Sequence, residues 1–235
     1  MLWVQNGYAL RSMGVSSLGK ALKAQIRRFS DLILNLQSDS DEWQLKRLNL
    51  TRSVIHLSGL SVVFLRKLVG VNLTLSLIMI VTFIYLISEL LRLRNKSFPL
   101  INLTIKASRN EERNQLIIRP VYYAVGIAAS MIIFPENIGN SAITIVTLGD
   151  CLAGLSGTII GRTPIPYNRD KTIEGSLIGF ISAFLVSCVF VSVHVAFLGA
   201  LTGAFAESCD RLLDDNLAVP LASGLVMSLL SLPFP

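Results

Sequence analysis

Charge is scarce in this chain. Only 15% of its 235 residues are Asp, Glu, Lys or Arg, against about 25% in an ordinary soluble domain. The deficit is concentrated: residues 68–91 carry no charge before Glu89. Cysteine and histidine are scarce too. Cys151, Cys188 and Cys209 are too scattered to share a metal, and three cysteines form no even disulfide set. They read as small packing residues. His56 and His194 alone exclude a histidine-rich metal site. There is no GxxxxGK[ST] loop, no protein-kinase signature set, no GxSxG and no HExxH. The opening stretch MLWVQNGYALRSMG lacks the basic start and long apolar core of a simple signal peptide.

What the chain does have is apolar runs. A run of about 18 or more apolar residues is a membrane-span candidate. Beyond 68–91, such runs cover roughly 117–134, 138–160, 173–191, 193–206 and 217–232. A shorter one at 54–65 is broken by Arg66 and Lys67. The pattern predicts an all-α, polytopic membrane protein of about seven transmembrane helices. It divides into a basic N-terminal segment, 1–52, and a membrane domain, 53–235. Residues 15–37 mix Lys20, Lys23, Arg27 and Arg28 with apolar residues at helical spacing. That suits a helix lying on the inner leaflet, or one packed on the rest of the protein.

The basic residues set an orientation. With the N-terminus in the cytoplasm and seven alternating spans, 19 of the 21 Lys and Arg fall on one side. The net charge of +6 then points to anionic lipid or an anionic substrate at that face. Nucleic acid is excluded as a partner, because the basic residues flank spans.

Asp150 is the residue that most needs a reason. A charge at the bilayer centre costs about 2.5–3.5 kcal/mol on insertion scales. Gly154, Gly157 and Gly161 follow it at i+4, i+7 and i+11, one helical face, bordered by Gly149 and Ala153. A face of bare backbone admits a neighbouring helix. It equally admits a phosphate or nucleotide. The following loop, 162–176, gathers Arg162, Arg169 and Lys171 at the inner end of that span. Pro164 and Pro166 predict that it is stiff and extended. Lys171 and Thr172 lead into Glu174 at a helix start, the outline of an anion site or of a simple cap. A third group, Glu207, Asp210, Asp214, Asp215 and Asn216, concentrates oxygen ligands near the inner surface. Oxygen ligands suit magnesium bridging to phosphates. A solvated loop with Asp215 or Asn216 as cap fits as well.

Three blocks now stand in order over about 75 residues: GDCLAGLSGTIIGR, KTIEGSLIGF and AESCDRLLDDNLAVPL. Together they resemble the CTP-dependent lipid kinases, the family of dolichol kinase, phytol kinase and the CTP-dependent diacylglycerol kinase. The membrane cytidylyltransferases are more distantly similar. The matching positions are Gly149-Asp150 with Ala153, Gly157 and Gly161; Lys171-Thr172 with Glu174-Gly175; and Glu207, Asp215-Asn216 and Pro220. A weaker block, TRSVIH, keeps Arg52 and His56 of the family's Arg-Lys-x-x-His, with Ser53 where Lys is expected.

The resemblance implies transfer of the γ-phosphate of CTP, with magnesium, to the hydroxyl of a membrane lipid alcohol. The alcohol would be a dolichol or polyprenol, a phytol-type prenol or diacylglycerol. Asp150, Lys171 and Glu174 would be catalytic. Lys171 with Arg162 or Arg169, Thr172, Arg52 and His56 would meet the nucleotide, across the backbone of Gly149, Gly154, Gly157 and Gly161. Magnesium would draw on Asp150, Glu174, Glu207, Asp214, Asp215 and Asn216. The site would face the cytoplasm, at the endoplasmic reticulum in a eukaryote or the plasma membrane in a prokaryote. A cytidylyltransferase uses the same nucleotide and metal, but its GHGG-type block is absent. An ion-coupled transporter would also explain an intramembrane acid, yet no second half repeats the first.

Overall fold

The computed structural model describes Ser53 and residues 55–94, 115–209 and 214–232. Arg52, the N-terminal segment 1–52 and most of the loop 92–115 lie outside the described residues. The elements in chain order are α1 (Leu60–Val69), α2 (Val71–Leu93), α3 (Arg119–Ile133), α4 (Glu136–Ile160), β1 (Pro164–Ile165), β2 (Asn168–Thr172), α5 (Ile173–Ser187), α6 (Val193–Ser208) and α7 (Asp215–Leu230). The helices follow the apolar runs within a few residues. The run read as 68–91 starts at Val71, because Gly70, at φ +82°, breaks the chain between α1 and α2.

Two helices, α2 with 23 residues and α4 with 25, are long and apolar enough to cross a membrane. The other apolar helices are shorter, and α3 and α5 hold 15 residues each. At 1.5 Å per residue that is about 23 Å, below the roughly 30 Å of a hydrocarbon core. Seven full spans are therefore more than the helix lengths establish. The two long helices differ in surroundings. α2 exposes Met79, Val81 and Phe83, at 65%, 66% and 64%. A band this apolar suits lipid. α4 is the central helix, packed against α1, α3, α5, α6 and α7. Some of its polar residues bond within the helix: Thr144 Oγ1 donates to the Asn140 carbonyl one turn back, at 2.7 Å.

The glycines of α4 meet those of α5. A Cβ on Gly179 would lie 2.6 Å from the Gly149 carbonyl, and one on Gly175 would lie 2.7 Å from the Ala153 carbonyl. Backbone touches backbone along this crossing, as in small-xxx-small packing. Side chains there would force the helices apart.

The end of α2 meets the start of α3. There the Ile117 N–H donates to the buried Glu89 carboxylate at 2.8 Å. The loop expected after α4 is an antiparallel hairpin, so the fold is not purely α. Its tip is anchored on the end of α6, where Asn168 Nδ2 donates to the Ser208 carbonyl at 3.1 Å.

Candidate functional site

Asp150 stands near the middle of α4, with its side chain 27% exposed. His56, in the helical turn before α1, places Nε2 at 3.3 Å from Asp150 Oδ2. The ring of Tyr123, on α3, lies 4.7 Å from that of His56. The Tyr123 hydroxyl donates to the His56 carbonyl at 2.7 Å and lies 3.2 Å from Thr147 Oγ1. Three elements thus fix one imidazole. Its Nδ1 is buried and has no hydrogen-bond partner. Ser53 donates to the Cys151 carbonyl at 3.2 Å. The position where the resembled family carries lysine is thus packed beside Asp150.

The second half of the site is built around Lys171. Pro164 pairs with Thr172, but Ile165 already pairs with Asn168. Residues 169–171 are therefore extra length on β2, a bulge of the kind that re-aims side chains. Lys171 Nζ reaches the Glu207 carbonyl at 2.6 Å, Glu207 Oε1 at 3.3 Å and Asp215 Oδ2 at 3.1 Å. Burial pushes the Lys171 pKa down. The charges of Glu207, Asp215 and Asp150 push it up by more, and it ends above the usual lysine value. One ammonium so faces two carboxylates, Glu207 and Asp215. Asp214 caps α7 by accepting from the Asn216 N–H at 3.1 Å. Burial raises the Asp214 carboxyl, against the Asn216 bonds and the charge of Arg119. The Asn216 side-chain oxygen is buried without a partner.

The expected metal set does not come together as one cage. Among the described residues, no three His, Cys, Asp or Glu side chains are grouped to hold a metal by themselves. Magnesium that arrives on phosphates needs only one or two protein carboxylates. Glu207 and Asp215, both oxygen donors on the same ammonium, fit that lesser demand.

Several expected site residues lie elsewhere. Glu174 turns away from Lys171 and clamps the base of the hairpin. Its carboxylate accepts from the Thr163 hydroxyl at 2.7 Å and from the Thr163 and Arg162 N–H groups at 3.1 and 3.2 Å. A carboxylate with those donors satisfied has no need of a metal. The Thr163 hydroxyl first, and the backbone bonds after it, hold the Glu174 carboxyl down at about 2. The clamp is thus complete above about 4.5, the ordinary value, and is lost as the pH falls through about 2. Thr172 is spent as the α5 cap, accepting from the Gly175 N–H at 3.2 Å. Gly157 and Gly161 abut Thr172, and Gly149 faces α5. Gly154 alone borders open space. Arg162 and Arg169 are exposed.

Glu174→Ala is accordingly expected to speed proteolytic cutting within 162–172. Turnover should stay within a few-fold of the parent. Timed trypsin digestion beside an activity assay checks both; a loss of turnover as large as that of an Asp150 variant would restore Glu174 to the chemistry.

Tyr123, Thr147 and Arg119 were not singled out by the sequence. Arg119 and Tyr123 are four apart, hence on one face of an otherwise apolar helix. That spacing was the available signal.

An acid–imidazole pair and a lysine–carboxylate cluster in one apolar helical assembly suit transfer of a charged group to an apolar acceptor. The comparisons give the class. The chain is 30% identical over 142 residues to a probable chloroplastic phytol kinase of Triticum aestivum, covering 52% of this chain and 47% of that one. It is 33% identical over 146 residues to probable phytol kinase 3, chloroplastic, of Glycine max, covering 54% and 46%. It is 29% identical over 129 residues to the chloroplastic farnesol kinase of Arabidopsis thaliana, covering 54% and 40%. The chain thus spans about half the length of the curated relatives it matches. No protein-family model matches, and no solved structure matches significantly. Over about half its length the chain is thus similar to proteins named phytol and farnesol kinases, as the three sequence blocks led one to expect.

Proposed function

We propose that this chain is a prenol kinase. It moves the terminal phosphoryl group of a nucleoside triphosphate, CTP on the family resemblance, to the hydroxyl of a membrane-borne prenyl alcohol. One observation carries the reading: an acid–imidazole pair, Asp150 with His56, and an ammonium–carboxylate cluster, Lys171 with Glu207 and Asp215, stand in one apolar helical assembly. The names of the relatives support a prenol acceptor over dolichol or diacylglycerol.

Phosphoryl transfer needs alignment and charge neutralisation more than covalent help from the protein. Lys171 supplies a fixed positive charge for the triphosphate. Glu207 and Asp215 would hold magnesium, which when bound neutralises phosphate oxygens. The Asp150–His56 pair orients the acceptor hydroxyl. As its oxygen forms the new bond to phosphorus, the bridging P–O bond breaks and the nucleoside diphosphate leaves. The hydroxyl proton passes to the pair. Asp150 thereby serves the acceptor and not the metal.

The site lies on the side of the basic loops, in a multi-pass arrangement. The relatives' location favours a plastid membrane over the endoplasmic reticulum. The donor is tested by supplying CTP, ATP, GTP and UTP in turn to purified protein with geranylgeraniol in detergent. CTP is expected to give the highest kcat/KM. Equal turnover with ATP would remove the donor assignment while leaving the kinase.

A further inference from the structure

A cleft of about 380 Å³ lies between α1, α2 and α3. Ordinary small-molecule pockets span roughly 300–1,000 Å³. Val62, Ile78, Val81 and Ile127 are among its walls, and Gly59 and Tyr123 line it beside His56. Its lining on α2 runs from Thr74 to Tyr85, about 17 Å at 1.5 Å per residue. Val81 is 66% exposed, so the cleft is open along α2, on the face suited to lipid.

We propose that this cleft binds the hydrocarbon chain of the acceptor, with the hydroxyl donating a hydrogen bond to His56 Nδ1. The proposal rests on the prenol kinase reading for the identity of the occupant. Three features select that occupant. The walls are almost wholly apolar, which excludes a nucleotide. The slot is long and open at the side, which suits a flexible chain entering from lipid. Its wall includes Tyr123, whose ring packs on the imidazole that Asp150 orients. With the Nε2 hydrogen directed to Asp150, Nδ1 carries the lone pair. That atom is buried without a partner, and a buried acceptor left unpaired is destabilising. An alcohol satisfies it; a hydrocarbon tail alone does not.

The test uses the full chain in detergent with a diazirine-bearing geranylgeraniol. Photolabelling is expected on 74–85 of α2 and on 124–127 of α3, competed by unlabelled geranylgeraniol and not by a phospholipid. Leu77→Trp and Val81→Trp narrow the cleft at exposed positions. They should raise KM for the C20 alcohol at least ten-fold and leave KM for the nucleotide unchanged. His56→Gln keeps an amide near the Nε2 position and removes Nδ1; it should lower kcat without abolishing the labelling. Labelling elsewhere, or labelling that phospholipid displaces as well as prenol does, overturns the acceptor cleft even if the protein is an active kinase. Competed labelling in the cleft without phosphoryl transfer leaves the cleft standing and removes the kinase reading.

Discussion

Asp150→Asn is expected to lower turnover by about 10²–10⁴-fold, the range for loss of a positioned acid–base group, with the fold intact. Asn is the same size, and its side-chain oxygen still accepts from His56. Only the charge is lost. That charge holds the imidazole in the tautomer that leaves Nδ1 open, and it stabilises the imidazolium as the proton arrives. The melting temperature in detergent should hold or rise, because a carboxylate in an apolar helix is costly where no cation offsets it. The loss should fall on kcat, with KM for the nucleotide little changed. A variant that keeps near-normal turnover would make Asp150 structural. A variant whose defect lies wholly in KM for the nucleotide, or is relieved by excess magnesium, would move Asp150 back to the metal.

Lys171→Met should damage stability as well as activity. Nζ touches Glu207 Oε1 at 3.3 Å and Asp215 Oδ2 at 3.1 Å, with the three side chains 16%, 7% and 17% exposed. Removing one partner of such a group leaves uncompensated buried charge and costs about 3–5 kcal/mol. Turnover should fall below detection, since the triphosphate loses its fixed cation. Acidification should restore part of the lost stability by protonating Glu207 or Asp215. In the parent the lysine acts in the same direction, but in a far higher pH window. The Lys171 pKa is raised, so its contribution is complete below the ordinary lysine value of 10.5 and is lost only as the pH rises through the higher folded value. Melting curves for parent and variant from pH 5 to 9 check this. A variant as stable as the parent at pH 8 would contradict the cluster.

Much of the fold was legible because apolar runs and helices have the same cause. A segment that buries or greases its whole circumference must close its own backbone hydrogen bonds. The β-hairpin was less legible. Its strands are two and five residues long, too short for an alternating pattern, and its two prolines suggested an extended loop. Run length does not fix span number, because it does not show where a helix ends. α5 starts with its run at Ile173 but ends at Ser187, short of the run's end at 191.

The site was legible as residue types and less so as partnerships. Lys171, Glu207 and Asp215 come into contact, and Asp150 pairs with His56. Glu174 is the instructive exception. Three residues past Lys171, it sits at the head of α5, and its partner Thr163 is eleven positions away across the hairpin. Only the hairpin reveals that pairing. The glycine face had two physical readings, and sequence does not say which neighbour fills a bare surface; α5 fills most of it. Tyr123 was hidden in an apolar helix, where an aromatic residue usually packs.

The most direct measurement follows each phosphate of the donor separately. Purified full-length protein in detergent receives magnesium and farnesol, geranylgeraniol or phytol. Matched samples carry CTP labelled at the γ-phosphate, CTP labelled at the α-phosphate, or ATP labelled at the γ-phosphate. The lipid phase is then chromatographed. The expected result is γ label from CTP in a prenyl monophosphate, with no α label in any lipid. Label from the α-phosphate in a lipid would make the chain a cytidylyltransferase, and no label with any of the three alcohols and either nucleotide would contradict the kinase outright.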